Sequence, residues 1–194
     1  VNTKGLEEGI HIGTLFMRSN GGDGEIKVRV NVKSKDSWTM FRRDEGRCGF
    51  TKKELIPPLE GRWEFKTRGR VWSSPCVYKD KVYVGSDDHS LYCVDLLKGD
   101  KVWEFKTGGL VISSPCFCDG YVVFGSMDEN LYCLDWEKGE KLWQFKADGS
   151  ISSSPLFFEE RVYFASENGG VFCLSKKGEL LWEFKTGERI ESSL

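Results

Sequence analysis

The sequence lacks the features that mark several large protein classes. No apolar run approaches the roughly 20 residues that a membrane-spanning helix needs, and no basic segment followed by an apolar one opens the chain as in a secretion signal. The 28 Lys and Arg residues are balanced by 30 Asp and Glu residues, for a net charge of −2. A chain without a basic surplus has no field to attract nucleic acid or an anionic membrane, so we expect neither partner.

The chain is also poor in residues that carry familiar chemistry. Its two histidines, His11 and His89, have no companions at ligand spacing, and no Ser-His-Asp order, phosphate-binding glycine loop or HExxH pattern occurs. Seven cysteines are an odd number, which argues against a dense disulfide framework. We therefore predict no catalytic residue and no metal site, and the sequence does not indicate cofactor-binding residues.

What the chain has instead is an internal repeat. A Trp-x-Phe-Lys unit begins at Trp63, Trp103, Trp143 and Trp182, with offsets of 103−63=40, 143−103=40 and 182−143=39. A Ser-Ser-Pro unit keeps the same phase at residues 73–75, 113–115 and 153–155. A fixed period of this length is typical of stacked structural units that share a core.

Each unit reads as four short strands. In the first unit these are residues 71–78, 81–86, 90–95 and 101–107, which are rich in Val, Tyr, Phe and Trp and are separated by polar or glycine-bearing turns. No helical period is present. Four antiparallel strands in about 40 residues are the blade of a β-propeller, so the sequence predicts an all-β fold of propeller blades that form an incomplete ring.

Two recurring residue types explain how such blades would pack. The tryptophan offers a large flat surface for burial between sheets, and a small cysteine opposite it, at Cys93, Cys133 and Cys173, lets the neighbouring sheet approach. Convergence of these three cysteines on one metal ion is the less favoured interpretation, because one residue per blade places them in separate sheets.

These residues resemble the tryptophan-docking motif of the quinoprotein (PQQ-like) β-propeller superfamily. That motif spans eleven residues, with Ala first, Asp third, Gly seventh and Trp last. The matching positions, with Cys in place of Ala, are Cys93, Asp95, Gly99 and Trp103, and then Cys133, Asp135, Gly139 and Trp143. The third copy, 173–182, is one residue shorter and has Ser175 for Asp. The segment from Trp38 to Asp44, with Gly49, resembles the stretch that opens many such propellers.

The resemblance divides the chain into two parts. Residues 37–194 are expected to hold three full blades and the start of another, whereas superfamily members usually have seven or eight. We therefore expect a fragment, or a chain whose open sheet edges are covered by a protein partner, by the remaining blades or by further copies of itself. Residues 1–36 read as a β-hairpin with a glycine-rich turn at 21–22, which resembles the end of an immunoglobulin-like β-sandwich module.

For function, the resemblance implies a non-catalytic scaffold that presents its loops to a protein or a ligand. The alternative is a fragment of a PQQ-dependent quinoprotein oxidoreductase, and only this alternative implies PQQ and calcium. Such enzymes commonly carry a disulfide between adjacent cysteines, whereas Cys116 and Cys118 are separated by one residue. The compartment stays open: unpaired cysteines favour a reducing one, and the resemblance favours an extracytoplasmic one.

Two further patterns have a structural and a functional interpretation. The acidic turns 87–89, 128–130 and 167–170 could form a ring of ligand contacts, but Asp, Asn and Gly are also what tight hairpins require, and we favour the structural interpretation. The lysines after each Trp-x-Phe unit, Lys66, Lys106, Lys146 and Lys185, could bind an acidic partner. We favour a solvated outer strand, because Glu64, Glu104 and Glu183 alternate with them.

Overall fold

A computed structural model describes residues 61–193, together with Glu25–Ile26, Thr39 and Phe41. These residues form strands, turns and irregular loops, and no helix that could cross a membrane occurs among them. The predicted all-β class is confirmed. Most of the predicted N-terminal hairpin, Trp38, Cys48 and His11 lie outside the described residues.

Twelve of the strands form three four-stranded antiparallel sheets, here named blades A, B and C in chain order. Blade A contains β3 (Cys76–Tyr78), β4 (Lys81–Ser86), β5 (Ser90–Asp95) and β6 (Lys101–Lys106); blade B contains β7 (Cys116–Cys118), β8 (Tyr121–Gly125), β9 (Asn130–Asp135) and β10 (Lys141–Lys146); blade C contains β11 (Leu156–Phe158), β12 (Arg161–Ala165), β13 (Gly170–Ser175) and β14 (Leu180–Lys185). Within each blade every strand pairs with its neighbour in sequence, as expected for propeller blades.

A separate two-stranded sheet joins β1 (Glu25–Ile26) to β2 (Phe65–Lys66). Ile26 lies opposite Phe65, which is the register in which Leu91 lies opposite Phe105 inside blade A. The β2 strand therefore has the pairing of a blade's fourth strand, and β1 that of a third strand.

The first strand of blade A is shorter than the sequence predicted. In blade A the ladder begins at Cys76, five residues later than expected. The reason lies in the Ser-Ser-Pro unit: the Oγ atom of Ser73 donates to the carbonyl of Gly85 (3.1 Å) and accepts from its N–H (2.8 Å). A side chain thus takes the place of a backbone pair, and Pro75 has no N–H to offer a ladder. Ser113 and Ser153 make the same pair of bonds in the other blades.

The hydrophobic core lies between neighbouring sheets. One cluster combines Tyr83 and Leu91 of blade A with Phe124 and Leu134 of blade B, and a second combines blade B with blade C in the same way. Aromatic rings cross each boundary at edge-to-face angles, such as Phe105 against Tyr132 at 5.4 Å. Burial between repeats is therefore what holds each blade to the next.

The connections lie on two opposite faces. The upper face, as named here, carries the turns between second and third strands and the loops that join blades, which are tied together by bonds such as Asp87 N–H to Arg70 C=O (2.8 Å). The lower face carries the remaining turns, tied by bonds such as Leu96 N–H to Asp80 C=O (2.8 Å). Both faces present side chains from all three blades.

Candidate binding face and the blade junctions

Three of the four recurring tryptophans lie over a glycine of the next blade. A β-carbon on Gly99 would come within 2.7 Å of the Trp63 ring, one on Gly139 within 2.6 Å of Trp103, and one on Gly178 within 2.7 Å of Trp143. All three glycines have positive φ, between +72° and +84°, a conformation that other residues adopt only with strain. The sequence therefore needs glycine here for both space and backbone conformation.

The aspartate of the motif builds the turn that presents this glycine. Asp95 Oδ1 accepts the N–H groups of Leu97 (2.9 Å) and Lys98 (2.8 Å), while its carbonyl accepts the N–H of Gly99 (2.9 Å). Asp135 makes the same three bonds in blade B. In blade C, Ser175 takes the place of the aspartate. Its Oγ accepts the backbone N–H groups of Lys177 and Glu179 in longer bonds of 3.3 Å. The shorter third copy therefore still presents its glycine, at Gly178.

Among the three tryptophans that lie over a glycine, two donate their indole N–H to the same turn and one does not. Trp63 donates to the Leu96 carbonyl (2.9 Å), and Trp143 donates to the Lys176 carbonyl (3.1 Å). The equivalent carbonyl for Trp103 belongs to Trp136, but it accepts the hydroxyl of Tyr83 (3.0 Å) instead. The Trp103 N–H is buried and has no partner among the described residues.

The recurring cysteines lie beside the tryptophans of their own blades. Cys93 is opposite Trp103, Cys133 opposite Trp143 and Cys173 opposite Trp182, and all three are fully buried. Burial raises the pKa of Cys93 and of Cys133 to about 12. They are neutral, packed thiols in three separate sheets.

A second set of junction bonds was not anticipated from the sequence. The backbone N–H of Ser74 donates to Ser114 Oγ (2.8 Å), that of Ser114 to Ser154 Oγ (3.0 Å), and that of Ser154 to Ser193 Oγ (2.9 Å). This serine ladder joins the innermost segments of all three blades and reaches the segment after blade C. The periodic Ser-Ser-Pro unit was the available signal, but periodicity alone does not show that a hydroxyl crosses a blade boundary.

The acidic turns on the upper face are held within the chain. Asp88 Oδ2 accepts from the Tyr92 hydroxyl (2.7 Å) and the Arg68 N–H (2.9 Å), and Asp128 Oδ2 accepts from the Tyr132 hydroxyl and the Gly108 N–H (2.7 Å each). Each bond to a backbone N–H joins the turn to the loop that enters its blade. His89, exposed and with a φ of +67°, provides the tight reversal in the first turn.

The other candidate patterns also make contacts within the chain. Lys146 contacts Glu129 (2.6 Å), and Lys185 contacts Asp148 (3.2 Å). Cys116 and Cys118 are buried and form no disulfide with each other. Across the described residues, no group of three or more His, Cys, Asp or Glu side chains is arranged to hold a metal ion.

One set of positions on the upper face changes chemistry from blade to blade while the framework repeats. In each blade, the turn between the second and third strands donates a backbone N–H to a carbonyl of the loop that enters the blade, at 2.8–2.9 Å. The side chains at these positions differ between the three blades. Blade A presents Arg70, Trp72 and Asp87; blade B presents Leu110, Ile112 and Met127; blade C presents Ser150, Ser152 and Glu167. These nine residues are called the variable row below.

The variable row includes buried polar atoms that lack a hydrogen-bond partner among the described residues. Trp72 is 59% exposed, and its indole donates to Asp87 Oδ2 (3.1 Å). Asp87 Oδ1 and Ser152 Oγ are buried and have no hydrogen-bond partner among the described residues, and neither does Asp88 Oδ1 beside them. Buried polar atoms are nearly always paired in folded proteins. Three unpaired ones close together on this face are therefore unusual.

Comparison with known proteins finds a matching family and solved structures of similar fold. The PQQ_2 family model, described as outer membrane protein assembly factor BamB, matches residues 60–117 and 106–193. No curated protein matched the chain. Among solved structures, BamB from Moraxella catarrhalis is similar at 15% identity and a TM-score of 0.57, covering 64% of this chain and 39% of that one.

Two dehydrogenases are similar in fold as well. A europium-containing methanol dehydrogenase and the quinohemoprotein alcohol dehydrogenase from Comamonas testosteroni each share 18% identity, with a TM-score of 0.67 over 79% of this chain. The match covers 32% and 28% of their own chains, so this chain spans less than half the length of each of the three solved proteins. Because the family model matches most of the sequence, this chain belongs to the PQQ_2 family of β-propeller repeats.

Proposed function

We propose that this chain is a non-catalytic propeller scaffold whose upper face binds a protein segment. The observation that carries the proposal is the variable row, where a repeated framework presents three different side-chain sets and includes unsatisfied polar atoms. The recurring motifs use their polar groups inside the fold, at the glycine turns, the serine ladder and the acidic turns. The variable row is the part of the repeat that the fold itself does not require to be constant.

The chemistry of this row suits a polypeptide partner. Trp72 is a large exposed ring held by Asp87, and tryptophan is prominent among residues that dominate binding energy at interfaces. Leu110, Ile112 and Met127 add a partly exposed apolar surface next to it, and methionine adapts well to varied partners. Ser152 Oγ and Asp87 Oδ1 lie just beneath these apolar contacts and have no hydrogen-bond partner among the described residues. The family's description as an assembly factor also supports a protein partner.

The experiment is selection of binding peptides from a random library displayed on phage, using the whole immobilised chain. The selected peptides are then measured against two variants. Trp72→Ser with Ile112→Ser removes the apolar part of the row, and Val102→Ser with Leu142→Ser is the matched control on exposed outer strands. We expect at least a tenfold loss of affinity for the first variant and none for the control. Equal affinity for the two variants contradicts the proposal.

A second candidate function is that of a quinoprotein oxidoreductase fragment. The observation that favours it is the coverage of 79% of this chain by dehydrogenase structures, which shows a shared fold. The described residues do not fit the cofactor pair: they offer no set of three acidic or other metal-binding side chains for calcium, so we derive no reaction step through PQQ. Alcohol-dependent dye reduction after addition of PQQ and calcium would favour this candidate, and we expect none.

A further inference from the structure

The lower face at the junction of blades A and B carries aromatic rings that both blades hold in place. Tyr78, at the end of β3, stacks on Phe117 of β7 with ring centres 3.5 Å apart. Trp136, in the turn that follows β9, meets the Tyr78 ring at 90° with centres 5.5 Å apart. Tyr78 and Trp136 are half-buried, and both blades are complete four-stranded sheets. The two rings therefore form a fixed, partly exposed aromatic surface.

Two lysine side chains lie against these rings. The ammonium of Lys79 is 4.6 Å from the centre of the Trp136 ring and 5.3 Å from that of Tyr78, and the ammonium of Lys81 is 5.0 Å from Trp136. Aromatic faces attract cations, so the rings keep both positive charges at one place on the lower face. Lys79 is exposed, whereas the Lys81 side chain is only 11% exposed. These four residues are called the Lys79 corner below.

The described residues balance one of these two positive charges. Asp80 Oδ1 lies 3.2 Å from the Lys81 ammonium and forms an ion pair with it. The Lys79 ammonium contacts the rings of Tyr78 and Trp136 but forms no ion pair with any residue that the structure describes. An exposed positive charge without a carboxylate partner thus lies beside two partly exposed rings.

The junction of blades B and C shows what the same positions look like when the charge is balanced. Asp119 takes the place of Lys79 there, and Lys176 takes that of Trp136. The Lys176 ammonium lies 3.5 Å from Asp119 Oδ2 and also contacts the Glu160 carboxylate. A lysine on this face is therefore held by carboxylates where the chain provides them, and at the Lys79 corner the chain provides rings instead.

We propose that the Lys79 corner binds an acidic residue of a polypeptide partner. The partner's carboxylate pairs with the Lys79 ammonium, and an apolar residue next to it covers the exposed parts of the Tyr78 and Trp136 rings. A single carboxylate matches this site, because Lys79, Lys81 and Asp80 together carry one net positive charge and Asp80 repels a more highly charged anion. The site lies on the face opposite the variable row, so either proposal can fail without the other.

An NMR titration of the whole chain tests the proposal. The readout is the indole N–H signal of Trp136, which is assigned by its loss in Trp136→Phe. The probe is the peptide acetyl-Gly-Phe-Glu-Gly-amide, and the matched probe has Gln in place of Glu. At constant ionic strength we expect a saturable shift with the Glu peptide and an affinity about threefold to fivefold weaker for the Gln peptide, as for the loss of one exposed ion pair. Equal affinities, or no saturable shift, overturn the proposal.

Two lysine variants show whether the preference for Glu depends on this site. Lys79→Met removes the charge and keeps a long side chain, and Lys98→Met is the matched control, an exposed residue in a neighbouring turn of the same face. We expect Lys79→Met to bind the two peptides equally and Lys98→Met to keep the wild-type preference. Inorganic phosphate should shift the Trp136 signal less than the Glu peptide does at equal concentration. A preference that survives Lys79→Met, or an equal shift with phosphate, overturns the proposal.

Discussion

The indole of Trp103 occupies the space that a side chain on Gly139 would need: a β-carbon there would come within 2.6 Å of the ring. Gly139 also has a φ of +72°. The junction between blades A and B thus depends on the absence of one methyl group, for a steric and a conformational reason that can be measured separately.

We predict that Gly139→Ala destabilises the chain by about 2 to 5 kcal/mol. Positive φ contributes about 1 to 2 kcal/mol for a residue with a β-carbon, and overpacking against the ring contributes about 1 to 3 kcal/mol. Urea unfolding followed by tryptophan fluorescence measures the loss. Gly187→Ala is the matched control, because its φ is +80° and nothing lies within 4 Å of the added atom. If both variants lose the same stability, the ring does not depend on the glycine's missing side chain.

A second prediction concerns the hydroxyl of Tyr83. It donates to the Trp136 carbonyl, which is the acceptor that the Trp103 indole N–H would otherwise use. Removing a buried hydrogen bond usually costs about 1 kcal/mol, but Tyr83→Phe frees the Trp136 carbonyl for the unpaired indole N–H. We therefore expect a loss below about 0.5 kcal/mol and slower exchange of the Trp103 indole proton, seen by NMR.

Tyr132→Phe is the comparison, because its hydroxyl donates to a charged acceptor, the Asp128 carboxylate, at 2.7 Å. A hydrogen bond to a charged group contributes about 1.5 to 3 kcal/mol. Equal losses for Tyr83→Phe and Tyr132→Phe would show that Trp103 does not take up the freed carbonyl.

The strand pattern was predictable because strand periodicity and turn residues are local properties of sequence. Residues 81–86 and 90–95 form strands with the predicted bounds. The first strand was predicted too long, since its period-two pattern does not reveal that Ser73 pairs with Gly85 through a side chain. The serine ladder and the unpaired Trp103 N–H depend on distances between blades. A short stretch of sequence carries no information on those distances.

The candidate binding face was less predictable than the framework. Sequence comparison between blades finds what recurs, and the recurring residues proved to contact one another inside the chain. Trp72, Ile112 and Ser152 do not stand out as a set in the sequence. Their place near the variable turns follows from the backbone bonds that the residues two positions before them make to those turns. The role proposed for them rests on differences between the repeats, which a search for periodicity does not detect.

A third prediction is that the buried thiols are chemically quiet. Burial raises the pKa of Cys93 and of Cys133 to about 12, and also raises the pKa of Cys76, Cys118 and Cys173. The thiolate is the reactive form, and each pKa unit reduces it tenfold at a given pH below the pKa. In a Cys48→Ser background, we expect the six remaining thiols to react with Ellman's reagent at least a hundredfold more slowly in buffer than in denaturant.

An added surface cysteine provides the control for this measurement. Leu142 is exposed on an outer strand, so Leu142→Cys should introduce a single fast-reacting thiol without changing the slow ones. Fast reaction of any thiol before that substitution would show that the cysteines are more accessible than their burial indicates.

The last prediction follows from the hydrogen bonds around Asp128. Burial alone would raise its pKa, but bonds from the Tyr132 hydroxyl, the Gly108 N–H and Asn130 outweigh that effect, and the pKa lies below its usual range. A carboxyl whose pKa is lower in the folded chain binds fewer protons there than in the unfolded chain between the two pKa values. Its contribution to stability is therefore complete above the unfolded value of about 3.9 and is lost as the pH falls through the folded value.

Tyr132→Phe should reveal this dependence, because it removes a bond that holds the Asp128 pKa down. The difference in unfolding free energy between wild type and variant should be constant from pH 7 to about pH 5 and should shrink as the pH falls further. Tyr121→Phe, on the neighbouring strand, provides the control and should show no such trend. A difference for Tyr132→Phe that stays constant down to pH 3 would mean that its hydroxyl stabilises the fold without favouring the charged form of Asp128.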